Sequence, residues 1–400
     1  MKRRRVSKIL IISVLFTSMF TGNAAAAPTP TEGNLQIQAK SAVLLDASTG
    51  TFLYEQNAHE QLPPASVTKI MTMLLTMEAI EQGKIGFEDK VTISARAASM
   101  GGSQMYMEAG EQQTLETLLK GVSICSANDA CVACAEYVGG SEEIFVEKMN
   151  RRAKELGMKD THFVNTNGLP VSDHYTSAYD IGIMSKELMR FDEPKEWFNT
   201  WQTTIQVGKD GKKKTDLGLT NTNRLIKLYP GANGIKTGFT QEAGYCLSGS
   251  AAKGDLTLIA VVLGCESTGT RWAETMRLLD YGFAAYDSCK AAEKGQSFGT
   301  VPVEKGAKEG VAAVIPKDIS LLIQKGEAKE ISTKAELKES TAAPVQAGDP
   351  VGELIVYIGT PRVSGWIGCG KGRIRADLHT NDKKFIITQQ ERGENECTIM

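Results

Sequence analysis

From residue 40 to about 286 the chain alternates short apolar runs with stretches of helical apolar spacing. "SAVLLDASTGTFLYEQN" holds two apolar runs around Ala47-Ser48-Thr49-Gly50 and reads as a hairpin. Helical spacing follows over 66–82, 115–124, 129–138, 141–156 and 177–188. Strand signals then return. "GYCLSGSAA" and "LTLIAVVLGC" flank Lys253-Gly254-Asp255 as a second hairpin, and "RWAETMRLLDYGFAAY" closes with a helix. Strands at both ends with helices between them predict an α+β domain over 36–287: one antiparallel sheet made from the two ends, with a helical subdomain inserted. Beyond Ser288-Cys289 the chain turns to Val, Gly, Lys and Glu in short alternating runs, which predict a small all-β module over 296–360. Residues 361–400 read as an atypical tail, with five glycines, scattered charges and no sustained 3.6-residue period.

The N-terminus changes the picture. Lys2, Arg3, Arg4, Arg5 and Lys8 precede an apolar run over 9–20 and then small residues, the pattern of a secretory signal peptide over 1–27. The run is shorter than the roughly 20 residues of a spanning helix. Loss of these five positive charges takes the formal net charge from −2 to −7. A mildly acidic mature chain without a basic patch argues against nucleic acid as a partner. The eight cysteines are irregularly spaced and a core of this size needs no staples, so most are read as small buried residues. Cys131-x-x-Cys134 has no second pair at zinc-site spacing and the four histidines form no ligand pattern, so neither metal nor cofactor is expected.

Chemistry enters at "PASVTKIMTMLLTMEAI", where Ser66 and Lys69 stand three apart at the start of a buried helix and share a face. A neutral amine within hydrogen-bond reach could take the serine proton, provided burial or another cation lowers the lysine pKa. The plain alternative is a helix cap followed by a snorkelling lysine. "SICSANDACVA" sets Ser126 and Asn128 at a turn between two helices, and either could simply cap the second. "GANGIKTGFTQEAGYCLSGSA" carries Lys236-Thr237-Gly238 into a strand, where a lysine also suits an exposed edge.

The three motifs in this order form the set shared by penicillin-binding proteins and class A β-lactamases. The chain resembles the low-molecular-mass penicillin-binding proteins, the serine-type D-alanyl-D-alanine carboxypeptidases of the S11 peptidase family. "PPASVTKIMTMLL", "SANDACVACAE", "FVNTNGLPVSDHYTSAYDIGIMSKEL", "LTNTNRL" and "GANGIKTGFTQEAGYCLSGSA" all carry the likeness. It implies a β-lactamase/transpeptidase-like catalytic domain followed by a small β-rich domain. It also implies removal of the terminal D-alanine from peptidoglycan stem peptides through a serine acyl-enzyme, with β-lactams as acylating mimics. By the same resemblance Ser66 is the nucleophile, Lys69 its base and Ser126 a proton relay. Asn128, Lys236, Thr237 and Gly238 would bind substrate, and the backbone N–H groups of Ser66 and Phe239 would hold the oxyanion. The expected place of action is outside the cell, at the wall or the outer face of the cytoplasmic membrane.

Two other readings share the motifs. A β-lactamase needs a water-activating glutamate in an E-x-x-L-N context after the second motif, and "FVNTNGLP" stands where one would be sought. A β-lactam sensor would carry extra membrane helices, and a catalytically silent binding module would be expected to have lost Ser66, Lys69 or Lys236, all of which are present. The tail departs from the family, whose members usually end in an amphipathic helix on the membrane surface. The anchor is not evident here, and the abrupt change after "GELIVYIG" suggests a change of reading frame that leaves Cys369 and Cys397 without a designed role.

Overall fold

The structure is a computed structural model, and it describes residues 35–209, 211–212, 214–326, 330–359 and 383–389. The leader expected over 1–27 lies outside the described residues, as does most of the tail expected over 361–400. The described chain divides into a unit ending at Ala285 and a unit beginning at Tyr286.

In the first unit β1 (Ser41–Asp46) and β2 (Phe52–Gln56) form the expected hairpin, and β1 pairs antiparallel along its length with the late strand β9 (Leu256–Cys265). With β7 (Ala232–Thr240) and β8 (Gly244–Lys253) they make one five-stranded sheet in the order β2-β1-β9-β8-β7. The two ends of the domain thus meet in its centre, and β7 is an edge strand. Between them come α1 (Lys69–Glu81), α2 (Ala95–Ala98), α3 (Leu115–Ile124), α4 (Asn128–Gly139), α5 (Glu142–Glu155), α6 (Ala178–Leu188), α7 (Glu193–Asn199) and α8 (Leu225–Leu228). The helix α9 (Thr268–Ala285) follows β9. The helices cover both faces of the sheet. A Cβ on Gly282 of α9 would stand 2.7 Å from Leu44, while one on Gly182 of α6 would meet Leu45. Adjacent residues of a strand point to opposite faces, so the two helices lie on opposite sides.

α1 is buried on nearly every side from Lys69 to Ala79, as an apolar helix without a polar face should be. Its buried threonine hydroxyls are satisfied: Thr76 donates within the helix to Thr72 O, and Thr72 donates across to Thr166 O. The caps are those that the sequence chemistry favours. Thr114, Ser141 and Ser177 each accept from a backbone N–H of the first turn of α3, α5 and α6. Two small ribbons escaped the sequence reading, β3 (Lys90–Thr92) with β4 (Gln112–Thr114) and β5 (Gln202–Val207) with β6 (Thr215–Thr220). Their residues are mostly polar and half exposed, so alternation is faint.

The second unit is all-β. Tyr286–Ala292 pairs with Ile319–Gln324, so this unit starts ahead of the expected residue 296, because α9 runs straight into its first strand. Glu330–Leu337, Pro350–Gly359, Lys383–Gln389, Gly310–Val314 and Ser297–Glu304 form the main sheet in that order, with Thr341–Ala342 beyond the last. "KKFIITQ" therefore adds a strand from inside the tail, past the expected end at 360. Val301, Ile315, Leu321, Leu354 and Val356 form its small core.

Candidate active site

Pro63 and Pro64 end the incoming chain, and a 3-10 turn over Ala65–Thr68 leads into α1. Ser66 stands in that turn and Lys69 at the first position of the helix. Lys69 is fully buried, and its Nζ lies 2.9 Å from Ser66 Oγ, 2.7 Å from Asn128 Oδ1 and 2.7 Å from Asn167 O. Two of these acceptors are carbonyl oxygens that can never donate. They hold two N–H groups in either protonation state, and in the neutral amine the remaining lone pair is left facing Ser66. Burial pushes Lys69 down to about 8, within reach of a working base.

The second motif joins the first through Asn128. The turn at Ser126 is left-handed (φ 63°) and buried between α3 and α4. Asn128 Nδ2 donates to Gly101 O, which turns Oδ1 toward Lys69. The side chain expected to bind a substrate amide is thus first an orienter of Lys69, with one N–H left for a ligand. Asp129, at the N-terminus of α4, accepts from the backbone N–H groups of Met105 and Met107 and pins the 101–107 loop beside the motif.

The third motif lies on edge strand β7. Gly238 packs on the turn that carries Ser66: a Cβ there would stand 2.9 Å from Pro64 O and 3.1 Å from Val67 Cγ2. The glycine is required by this approach as much as by an open edge. Lys236 is buried and donates to Thr237 O, and its pKa is held well below the ordinary value by burial and then by the positive charge of Lys69. Thr237 donates to Thr222, a residue tied by its own N–H to Ile124 O beside the second motif. Phe239 lies half exposed, stacked on Tyr245 with ring centroids 4.3 Å apart. All three motifs therefore converge on one cleft, with hydrogen bonds joining Ser66, Lys69 and Asn128. Among the described residues no hydrogen bond joins Lys236 or Ser126 to Ser66.

Two contributors were missed in the sequence. Asn167 supplies Lys69's third acceptor through its backbone, a role no side-chain motif announces. Arg271 of α9 is buried, with no carboxylate partner among the described residues, donating from Nη1 to Gly238 O and Cys246 O and stacking over Trp272. The only signal was an arginine beside a tryptophan at the start of the helical stretch "RWAETMRLL". Cys131, Cys134, Cys246 and Cys265 are buried thiols, as expected of core cysteines, and burial pushes their pKa values up.

A family model described as D-alanyl-D-alanine carboxypeptidase matches residues 23–267, and one described as penicillin-binding protein 5, C-terminal domain, matches residues 286–364. The chain is 43% identical over 354 residues to D-alanyl-D-alanine carboxypeptidase DacF of Bacillus subtilis, covering 88% of this chain and 90% of that one. It is 34% identical over 364 residues to D-alanyl-D-alanine carboxypeptidase DacA of Escherichia coli, covering 88% of each. Among solved structures, penicillin binding protein 5 from Haemophilus influenzae superposes with a TM-score of 0.65 at 29% identity, over 89% of this chain and 97% of that one.

Proposed function

The chain belongs to the S11 family of serine-type D-alanyl-D-alanine carboxypeptidases, which release the terminal D-alanine of peptidoglycan stem peptides and are acylated by β-lactams; from that premise we propose the roles of its residues. Neutral Lys69 takes the Ser66 proton as Ser66 Oγ attacks the carbonyl of the penultimate D-alanine. The oxyanion is held by the backbone N–H groups of Ser66 and Phe239. Ser126 relays the proton that Lys69 has taken to the departing D-alanine amine, which returns Lys69 to its neutral form, and water then hydrolyses the ester with Lys69 again as base. The substrate's terminal carboxylate is received by Lys236 and Thr237, with the buried Arg271 guanidinium adding positive field behind the strand. A peptide lying along edge strand β7 extends the sheet by one strand.

The observation that carries this reading is the setting of Lys69: two carbonyl acceptors fix the amine and leave its third direction to Ser66. The β-lactamase alternative is less favoured, because the "FVNTNGLP" segment offers Lys69 a backbone carbonyl and no carboxylate. Export through the leader, and action at the outer face of the cytoplasmic membrane, belong to the same proposal, supported by the basic-then-apolar N-terminus and by where the substrate lies. Among the described residues no helix is long and apolar enough to cross a membrane.

The test is D-alanine release from diacetyl-Lys-D-Ala-D-Ala by the mature protein, beside Ser66→Ala. Release that vanishes in the variant supports Ser66 as nucleophile. Release that persists refutes it.

A further inference from the structure

Ala65, directly before the nucleophile, has φ +49°, a left-handed conformation that costs a non-glycine residue about 1–2 kcal/mol and persists only where neighbours enforce it. Its carbonyl shows what does so. Thr68 Oγ1 lies 2.9 Å from Ala65 O and 2.8 Å from His174 Nε2, and His174 Nδ1 lies 3.0 Å from the Val164 backbone nitrogen.

The directions of all three bonds follow from the chemistry. Val164 N–H can only donate, so Nδ1 is the unprotonated ring nitrogen and Nε2 carries the hydrogen. Nε2–H then donates to Thr68 Oγ1, leaving the threonine hydrogen for Ala65 O, which can only accept. The wire therefore runs one way, from the 163–168 segment through His174 and Thr68 to the carbonyl before Ser66. Every member but Val164 is buried. His174 is kept neutral, its pKa pushed down to about 4 by burial and then by His162, so the wiring holds across the neutral range.

The same segment also presses directly on the turn, against Ala65 O and Thr68 Oγ1. Gly168, at φ +85°, leaves no room for a Cβ, which would stand 1.8 Å from Ala65 O. Asn165 Oδ1 accepts from Asn167 and Gly168 N–H and shapes the loop so that Asn167 O meets Lys69. One loop thus sets both the lysine acceptor and, through His174, the turn that carries the serine. We propose that His174 and Thr68 are positioning residues for acylation, fixing the Ala65 carbonyl so that Ser66 Oγ stays within reach of Lys69. His174 is not a proton carrier in this scheme, because both ring nitrogens are committed. The proposal rests on Ser66 being the nucleophile.

The two arms can be cut separately. His174→Gln can place an amide N–H near the Nε2 position and keep the donor to Thr68, whereas His174→Asn can place an oxygen near Nδ1 and keep only the acceptor for Val164. Thr68→Val removes the hydroxyl at nearly constant shape. The measurement is the rate of Ser66 acylation by labelled penicillin, with Tm beside it. Thr68→Val and His174→Asn should slow acylation by about 10- to 100-fold. His174→Gln should recover most of it, and Thr68→Val/His174→Asn should be no slower than the worse single variant. Wild-type acylation rates in Thr68→Val would overturn the proposal, as would loss of Tm with acylation intact in His174→Asn. If His174→Asn does not fold, Thr68→Val and His174→Gln still decide. A wild-type chain that is not labelled at Ser66 would overturn the nucleophile assignment itself, a different failure.

Discussion

The corner around Ser66 and the β-rich unit from Tyr286 handle polar groups in opposite ways. Among the described residues every buried polar or charged side chain lies before Tyr286, many of them around the cleft. In the β-rich unit the core is Val, Ile, Leu and Ala, while Lys290 with Asp318 and Lys334 with Glu336 pair at the surface. Burying an ammonium or an imidazole costs several kcal/mol unless each donor finds an acceptor. At the corner the acceptors are supplied by loops that would otherwise be free to drift, so the groups that make chemistry possible also lock its geometry. The β-rich unit carries no such demand, and its residues answer only to packing.

The comparison is sharpest at the lysine. Lys69→Met, close in shape and unable to take a proton, should slow penicillin acylation by about 10²- to 10⁴-fold in stopped-flow labelling. An effect under threefold would mean that another group deprotonates Ser66. Next comes Gly168→Ala, which adds a Cβ 1.8 Å from Ala65 O in a left-handed residue. It should lower unfolding stability by about 3–5 kcal/mol in urea titration and depress acylation as well, since the turn must move.

Of these features, the sequence showed the motif residues and concealed their mutual support. Ser66, Lys69, Asn128 and Lys236 were legible because they stand in short spaced patterns, and the sheet was legible because β1 and β9 are mainly apolar and β8 faces β9 across a Lys-Gly-Asp turn. Asn167 and Ala65 act through backbone oxygens, which any residue type supplies, so no pattern marks them. His174 stood within a quoted segment without a role, because the meaning of its ring depends on Val164 and Thr68 arriving from distant positions. Gly238 was legible as a member of the Lys-Thr-Gly motif, yet only the fold shows that it makes room for the turn carrying Ser66.

A core change in the β-rich unit breaks the comparison if the two regions are not separate in their demands. Leu321→Ala empties a fully buried site and should cost about 2–4 kcal/mol of stability. The acylation rate of folded protein should stay within twofold of wild type. A tenfold loss would show that the β-rich unit is needed to shape the cleft.

The smallest effect per step is that of pH, and it separates two of the corner's titrating groups, Lys69 and His174. In the proposed mechanism Lys69 acts as a neutral amine, so kcat/KM should fall about tenfold for each unit below about 8 and level off above it. Stability follows a different course. With folded values below unfolded ones, both Lys69 and His174 bind fewer protons in the native state, so each makes stability rise with pH across its own window. For Lys69 that window runs from about 8 up to its ordinary 10.5. For His174 the stability is fully present above 6.5 and is lost as pH falls toward about 4, at roughly 1.4 kcal/mol per unit. Activity should therefore decline between pH 8 and 6.5 while His174 contributes no loss of stability. Urea titrations of wild type and His174→Gln from pH 7 to 4 read the second limb directly. The slope should flatten in the variant, because glutamine has no proton to gain, while the activity limb near 8 stays where Lys69 puts it.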